Sequence, residues 1–422
     1  MVQTTKPLCV PQHHCHLHAP DLHHGCAHQR HHQRNSGQPV ALELADIFRQ
    51  YGTAYRQKYS AHLLPSHRRA LRDIERCRTE ALGGQVFTCS ACGEVQYSYH
   101  SCEVTAPFSC RNRHCPKCQH ERAQEWLQFQ QELLLDAPYF FLTFTIPAEL
   151  RIFASRNQKL FYHTLFRASA QATQILARDP RFIGGQIGLV GVLHTWTRNL
   201  VYHPHIHYLV PGGGLDPDLH TWRKARKKYF MPVPALSKLF RARFQHLLRE
   251  TPIFAKIPSR VWYKDWVVHC KAVGNGQAAL KYLAPYVYRV AISNRRLTKM
   301  VDTGHMESSL VTFQYRASKT RQLKHCTLSA EKFIHRFLQH VLPRGFVKIR
   351  YFGFFGAALR PRLLSLHQQL EQESLIESTS SQPDTASGST TSNVSQAARL
   401  CPKCGQPMRF LRTLAPNPCR SP

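Results

Sequence analysis

The sequence predicts an α+β protein built on an antiparallel sheet, and three observations predict it. The runs "YFFLTFTIP" (139–147), "IGLVGVLHTW" and "HIHYLVPGG" are short, apolar and rich in β-branched and aromatic residues, as strands are. Between the first two lies "RIFASRNQKLFYHTLFRASAQATQILARD", whose apolar residues recur three and four apart, the period of a helix buried on one side. The last two runs read as a hairpin, "VGVLHTWTRNLVYHPHIHYLV", so the order β-α-β-β implies antiparallel neighbours.

The remaining elements follow in order. Residues 1–36 hold nine histidines and three cysteines without periodicity, which predicts a disordered tail. Residues 37–128 open with helical spacing from Leu42 to Leu82, broken at Pro65, and continue into a cysteine-rich block at 89–118. Residues 129–360 carry the sheet, a linking helix before it ("ERAQEWLQFQQELLL"), and a later strand "LVTFQYR". They also carry a helix capped by Ser329, with Glu331 in its first turn and Pro343 as its stop. Residues 361–398, polar and rich in Ser and Thr from about Glu371 to Ala398, predict a flexible linker to a small module at 399–422.

Composition bounds the function. Lys plus Arg total 56 against 25 Asp plus Glu, a formal charge of +31, which points to a polyanionic partner. The stretch nearest to membrane length, "LLLDAPYFFLTFTIPAEL", is interrupted by Asp136, Pro138 and Pro147, so no span is expected. The N-terminus lacks the apolar core of a secretory signal, and a cytoplasmic protein is expected. In such a setting fifteen cysteines, several in Cys-x-x-Cys pairs, point to metal rather than disulfides.

Two such pairs, Cys89/Cys92 and Cys115/Cys118, have the form of zinc knuckles, and together they predict one closed structural Zn²⁺ site. Cys102, Cys110 and His114 are spare, so either a second partial site exists or the ligand set is permuted. Cys401 and Cys404 form half a site near the C-terminus, with Cys419 as a third thiol; zinc there and an idle reduced tail both stay open. Arg111, Arg113 and Lys117, beside the knuckles, and Arg295, Arg296 and Lys299 in "SNRRLTK" are candidate DNA-backbone contacts. Tyr288 and Tyr315 could stack single-stranded bases.

In "LVYHPHIHYLVPGGG", His203, His205 and His207 alternate. Pro204 lacks an N–H, so the strand is expected to begin at about His205, leaving His203 in the approach and His205 and His207 on one face. His194, on the neighbouring strand, would lie roughly opposite and supply a third imidazole. "PGGG" lacks the lysine of a phosphate loop and reads as a turn, so no nucleotide cofactor is expected. Downstream, "QAALKYLAPYVYRV" places Tyr282 and Tyr286 four apart, on one face of a helix. Two phenols so placed could take turns at one phosphate if a metal stabilised the developing charge, or could simply pack in a core. Pro285 would kink that helix and puts the placement of Tyr286 in question.

Five stretches in consistent order over about residues 42–360 resemble the two-tyrosine HUH transposases of the insertion-sequence-91 family, which carry an N-terminal transposase zinc-binding domain. They are "SCRNRHCPKCQ", "YFFLTFTIPAEL", "HPHIHYLVPGGG", "KYLAPYVYRVAISNRRL" and "LSAEKFIHRFLQHVLPRGFVKIRYFG". The resemblance implies a Rep-like HUH sheet with flanking helices and an endonuclease and strand transferase of rolling-circle type. His205 and His207 would hold Mg²⁺ or Mn²⁺, with His194 as third ligand by geometry and Gln277 as the alternative. Tyr282 would be the first nucleophile, leaving a 5′-phosphotyrosine, and Tyr286 the second. The partner would be DNA, mainly single-stranded element ends, in a prokaryotic nucleoid. A rolling-circle replication initiator and a non-catalytic zinc-ribbon DNA-binding protein are the competing readings.

Overall fold

The computed structural model describes residues 41–99, 110–118, 126, 128, 130–131, 133–218, 221–225, 230–278, 280, 287, 291–317, 320–359, 361–363, 365–370 and 399–416. The expected tail at 1–36, most of the linking helix and residues 371–398 of the expected linker lie outside them; the described residues of 361–370 are helical and bury Leu363, Leu366 and Leu370 in a core, so this part of the expected linker is packed structure. The chain mixes helices with antiparallel sheets, as the two periods predict.

In chain order come α1 (Leu44–Lys58), α2 (Pro65–Arg76), β1 (Gly84–Cys89), β2 (Val95–Ser98), β3 (Pro138–Thr145), α3 (Arg151–Arg156) and α4 (Gln158–Arg178). Then follow β4 (Leu189–Trp196), β5 (Tyr202–Pro211), β6 (Gly213–Leu215), β7 (Trp222–Lys224), α5 (Val233–Arg249) and β8 (Val268–Asn275). Last come β9 (Leu297–Val301), β10 (Leu310–Arg316), β11 (Leu323–Ser329), α6 (Ala330–Leu338), β12 (Ile349–Phe352) and β13 (Met408–Leu414). Pro65 is the first residue of α2, a position where a missing N–H costs nothing because first-turn amides have no partner within the helix.

The central sheet has the order β12-β4-β5-β3-β8, and each described pairing in it is antiparallel. Alternation sorts its side chains into two layers. Phe140, Leu142, Phe144, Leu193, Ile206, Tyr208 and Val210 pack under α4 and α5, against Phe161, Tyr162, Phe166, Phe240 and Phe244. Tyr139, Phe141, Val190, Val192 and Leu209 face the other way, into a cluster with Trp126, Leu280, Val287, Phe354 and Phe355. Burial on both faces explains why these strands read as nearly continuous apolar runs. His194, His205 and His207 belong by alternation to the second layer.

A second core joins α1 and α2 to α6 and to the sheet β11-β10-β9, where Phe48 meets Phe337 edge-on at 5.3 Å. Ser329 caps α6 by accepting the Lys332 amide, as its sequence predicts. A third, small sheet has the order β13-β1-β2. Among the described residues no helix is long and apolar enough to cross a membrane.

Four local expectations are corrected. β5 begins at Tyr202, not His205, and contains Pro204. The β3 ladder stops at the pair Thr145–His205 and the β4 ladder is bulged between His194 and Trp196, so no partner there requires a Pro204 N–H. The long helix after β3 is two helices, because Asn157 leaves the helical region (φ −132°, ψ 49°) and its side-chain amide donates to the Phe153 carbonyl at 3.1 Å. α6 ends at Leu338, well before Pro343, where the chain tightens into three-residue bonds such as His340 N–H to Phe337 O (3.0 Å). Finally, "PGGG" is more than a turn: Gly213 and Gly214 start β6, which pairs with β7. A Cβ on Gly213 would stand 2.4 Å from the Trp222 ring, so the glycines admit that close packing.

Candidate functional site

Among the described residues, three side-chain clusters bring ligand atoms within 4.8 Å of one another: His194/His205/His207, Cys77/Cys110/Cys115/Cys118 and Cys89/Cys92/Cys401/Cys404. Each is assembled by a different part of the fold.

The histidine cluster sits on adjacent strands. His194 on β4 is the direct register partner of His205 on β5, and His207 follows two residues along the same face. Ring centroids lie 5.5 Å (His194–His205), 5.0 Å (His194–His207) and 4.7 Å (His205–His207) apart. His194 and His207 are buried, at 2% and 8% exposure, and His205 is half-buried. Neighbours hold the rings. His205 Nδ1–H donates to the His203 carbonyl at 2.7 Å, Thr143 Oγ1 meets His207 Nδ1 at 3.0 Å, Phe141 stacks on His207, and Trp196 stacks on His194. With Nδ1 of His205 and His207 engaged in this way, Nε2 is the atom that each could offer to a metal, as in the outer-shell pattern of metal-binding histidines. No carboxylate belongs to the group of three imidazoles. Their neutral forms offer lone pairs that suit a divalent cation; with only nitrogen from the protein, Mn²⁺ fits better than Mg²⁺, which must rely on phosphate and water oxygens. His203 lies outside the cluster, and burial lowers its pKa to about 4.

Tyr282 and Tyr286, with Pro285 and Tyr288, lie outside the described residues. The residues around them are described: 276–278, Leu280 and Val287 are helical. Gln277 is exposed at the beginning of that segment, whereas Leu280 and Val287 are buried in the layer that shares its sheet face with the histidines.

The cysteines pair differently from the expected set. Cys89/Cys92 do not meet Cys115/Cys118; each knuckle has other partners. Cys115 and Cys118 join Cys110 and Cys77, with sulfur separations of 3.5 Å (Cys77–Cys118), 3.6 Å (Cys110–Cys118) and 3.6 Å (Cys115–Cys77). Sulfurs about 2.3 Å from one tetrahedral zinc stand about 3.8 Å apart, close to these values. Crowded thiols divide their protons: Cys110, facing Cys115 and Cys118, is pushed far up, while Cys118, facing Cys110, is pushed down. A dication would relieve that conflict by admitting four thiolates. Cys77 carries no spacing signal; it caps the end of α2 and meets the knuckle only through the fold. Cys102 and Cys419 lie outside the described residues. His114, a candidate ligand by sequence, instead accepts the Leu342 amide at 3.3 Å through Nε2, and burial holds its pKa well below the usual range.

The basic candidates separate into two kinds. Arg111, Arg295 and Lys299 are exposed. Arg113 donates to the carbonyls of Phe346 (2.5 Å) and Pro343 (2.9 Å), and Arg296 to those of Gln314, Ala291 and Arg198. Lys117 pairs with Glu43 at 2.5 Å. These three brace the fold. Arg111 also lines a cleft of about 520 Å³ with Arg69, Arg72 and Arg344, beside the Cys77 cluster. Tyr315 is half-buried against the second core.

Comparison with known proteins adds the following. Residues 47–146 match a family model described as "Transposase zinc-binding domain", and residues 188–362 match one described as "Putative transposase". The chain is 38% identical to "Putative transposase y4qJ" of Sinorhizobium fredii, over 86% of this chain and 93% of that protein. It is 29% identical to "Transposase for insertion sequence element IS801" of Pseudomonas savastanoi pv. phaseolicola, over 70% of this chain and 73% of that protein. No solved structure matches significantly.

Proposed function

Since the chain belongs to the insertion-sequence-91 family of transposases, we propose that it nicks and rejoins single-stranded DNA at the ends of a mobile element by tyrosine chemistry. The observation that carries this reading is the three-histidine cluster, set on the sheet face against which Leu280 and Val287, the described neighbours of Tyr282 and Tyr286, are packed. His194, His205 and His207 would hold the divalent ion, which would supply charge stabilisation at the scissile phosphate. The Tyr282 oxygen forms a bond to phosphorus, its proton passing to solvent. The 3′-oxygen leaves with the bonding pair and takes up a proton. Phosphodiester is exchanged for 5′-phosphotyrosine, so rejoining by the reverse step needs no ATP. Tyr286 serves the second strand. The HUH class of fold is supported by the antiparallel sheet that presents paired histidines on a central strand.

A net charge of +31 and the cleft of Arg69, Arg72, Arg111 and Arg344 support backbone binding near the Cys77 cluster, where we assign the structural zinc. Arg295 and Lys299 add exposed charge elsewhere, whereas Arg113, Lys117 and Arg296 act by holding elements in place.

The test is incubation with single-stranded DNA from the element's own ends and Mn²⁺, followed by denaturing electrophoresis. A covalent protein–DNA adduct is expected from the wild type and none from Tyr282→Phe with Tyr286→Phe. An adduct from that double variant would show that another residue is the nucleophile. Thr143→Val should weaken Mn²⁺ binding about tenfold by freeing the His207 ring, read by calorimetric titration; unchanged affinity would remove Thr143 from the site.

A further inference from the structure

The Cys89/Cys92/Cys401/Cys404 cluster joins two parts of the chain more than three hundred residues apart, and only its first half lies in the segment matched by the zinc-binding family model, 47–146. We propose that these four cysteines form a second, closed structural zinc site that clasps the C-terminal tail onto the N-terminal module.

The two knuckles repeat each other bond for bond. In the first, Gly93 N–H donates to Cys89 O (2.9 Å) and Cys89 N–H to Glu94 O (2.8 Å). In the second, Gly405 N–H donates to Cys401 O (2.9 Å) and Cys401 N–H to Gln406 O (2.7 Å). Gly93 and Gly405 take the same left-handed conformation, φ 70° and 73°, which glycine adopts without strain. Each turn therefore aims its two sulfurs alike. Cys89 and Cys404 approach to 3.5 Å and Cys92 and Cys401 to 3.6 Å, near the tetrahedral edge of about 3.8 Å and far beyond a disulfide's ~2.05 Å.

The surrounding fold builds this encounter. β13 pairs antiparallel with β1 from Gly84–Leu414 to Cys89–Met408, which brings the tail's knuckle beside the knuckle that follows β1. Arg399 lies over the Phe87 ring at 4.5 Å and donates to Ser98 Oγ at 3.0 Å. Apolar support is slight: the described cluster of this sheet is Cys89, Cys401 and Met408 with Phe87 beside them, Val86 is buried apart from it, and Phe410 and Leu411 are more than half exposed. A core this small does not hold a three-stranded sheet unaided, and a structural zinc is a usual remedy in small modules. With four thiolates the shell is full, so the site binds no substrate. Its role is to fix β13 as the edge strand of the sheet.

The experiment counts metal in the 422-residue chain and its variants. In a His205→Ala, His207→Ala background, which removes the histidine site from the count, zinc per chain is measured by mass spectrometry after gel filtration. Two equivalents are expected. Cys401→Ser with Cys404→Ser should retain one, as should a chain ending at residue 398; Cys89→Ser with Cys92→Ser should lose the same equivalent. All four serines together should still retain one. Replacement by Co²⁺ should show thiolate charge-transfer absorption reduced by half in the tail variants. Wild-type zinc content in both tail variants would overturn the proposal, as would losses from the two pairs that add to two equivalents. These readings do not depend on DNA cleavage, so they stand apart from the nicking reaction.

Discussion

His205→Ala with His207→Ala should lower strand nicking by about 10³-fold or more, with the sheet intact. Removing two of three clustered imidazoles should abolish the proposed cation site, and electrostatic stabilisation at a scissile phosphate is typically worth several kcal/mol, at about 1.4 kcal/mol per tenfold in rate. The structural loss is smaller. His205 is half-buried, and His207 leaves a gap beside Phe141 that costs on the order of 1–2 kcal/mol. Circular dichroism should therefore be near wild type while the rate of adduct formation collapses, and millimolar Mn²⁺ should not restore it. Activity within tenfold of wild type would remove these histidines from the reaction. Single variants then decide the third ligand. His194→Ala should fall nearly as far, because His194 faces His205 in register, whereas Gln277→Ala, at an exposed position, should be mild. The reverse order would transfer the role to Gln277.

The second large effect is expected at Cys115→Ser. Cys115 is 1% exposed and meets Cys77, so this cluster ties the end of α2 to the segment 110–118 and lies in the same core as Phe48, Phe333 and Phe337. Loss of one ligand should lose the zinc. Three sulfurs then remain crowded without a cation, and a hydroxyl is buried in place of a thiolate. We expect zinc content to fall by one equivalent and stability by about 3–5 kcal/mol, lowering the melting temperature by roughly 10 °C or making the chain insoluble. Unchanged zinc in soluble Cys115→Ser protein would exclude Cys115 as a ligand. Arg69, Arg72, Arg111 and Arg344 line the adjoining cleft, so any folded variant should also bind DNA more weakly.

Much of this protein follows from local pattern alone. Strand and helix periods are set by backbone geometry, so β3, β4, β5 and the helices around them could be located from their apolar spacing. The same two-residue period puts His205 and His207 on one face, and the four-residue separation of the two cysteine knuckles from their glycines reflects a turn complete within a few residues. Pro204 misled because its effect depends on where the neighbouring ladders stop, which the strand's own residues do not encode. Partnership between distant segments is likewise a tertiary matter. Each Cys-x-x-Cys turn is equally suited to any other, and only the pairing of β1 with β13 joins Cys89 and Cys92 to Cys401 and Cys404. The packing of α2 against the second core similarly delivers Cys77 to Cys110, Cys115 and Cys118. The same holds for charge. Arg111 and Arg113 look alike in sequence, but burial directs Arg113 to the Phe346 and Pro343 carbonyls while Arg111 faces solvent. Sequence determined that the paired cysteines and alternating histidines are suited to metal and which faces they share, because those depend on bonds and turns a few residues long; tertiary structure decided which of them meet, and brought in Cys77 where His114 was also a candidate, because sulfur and imidazole choose partners by distance.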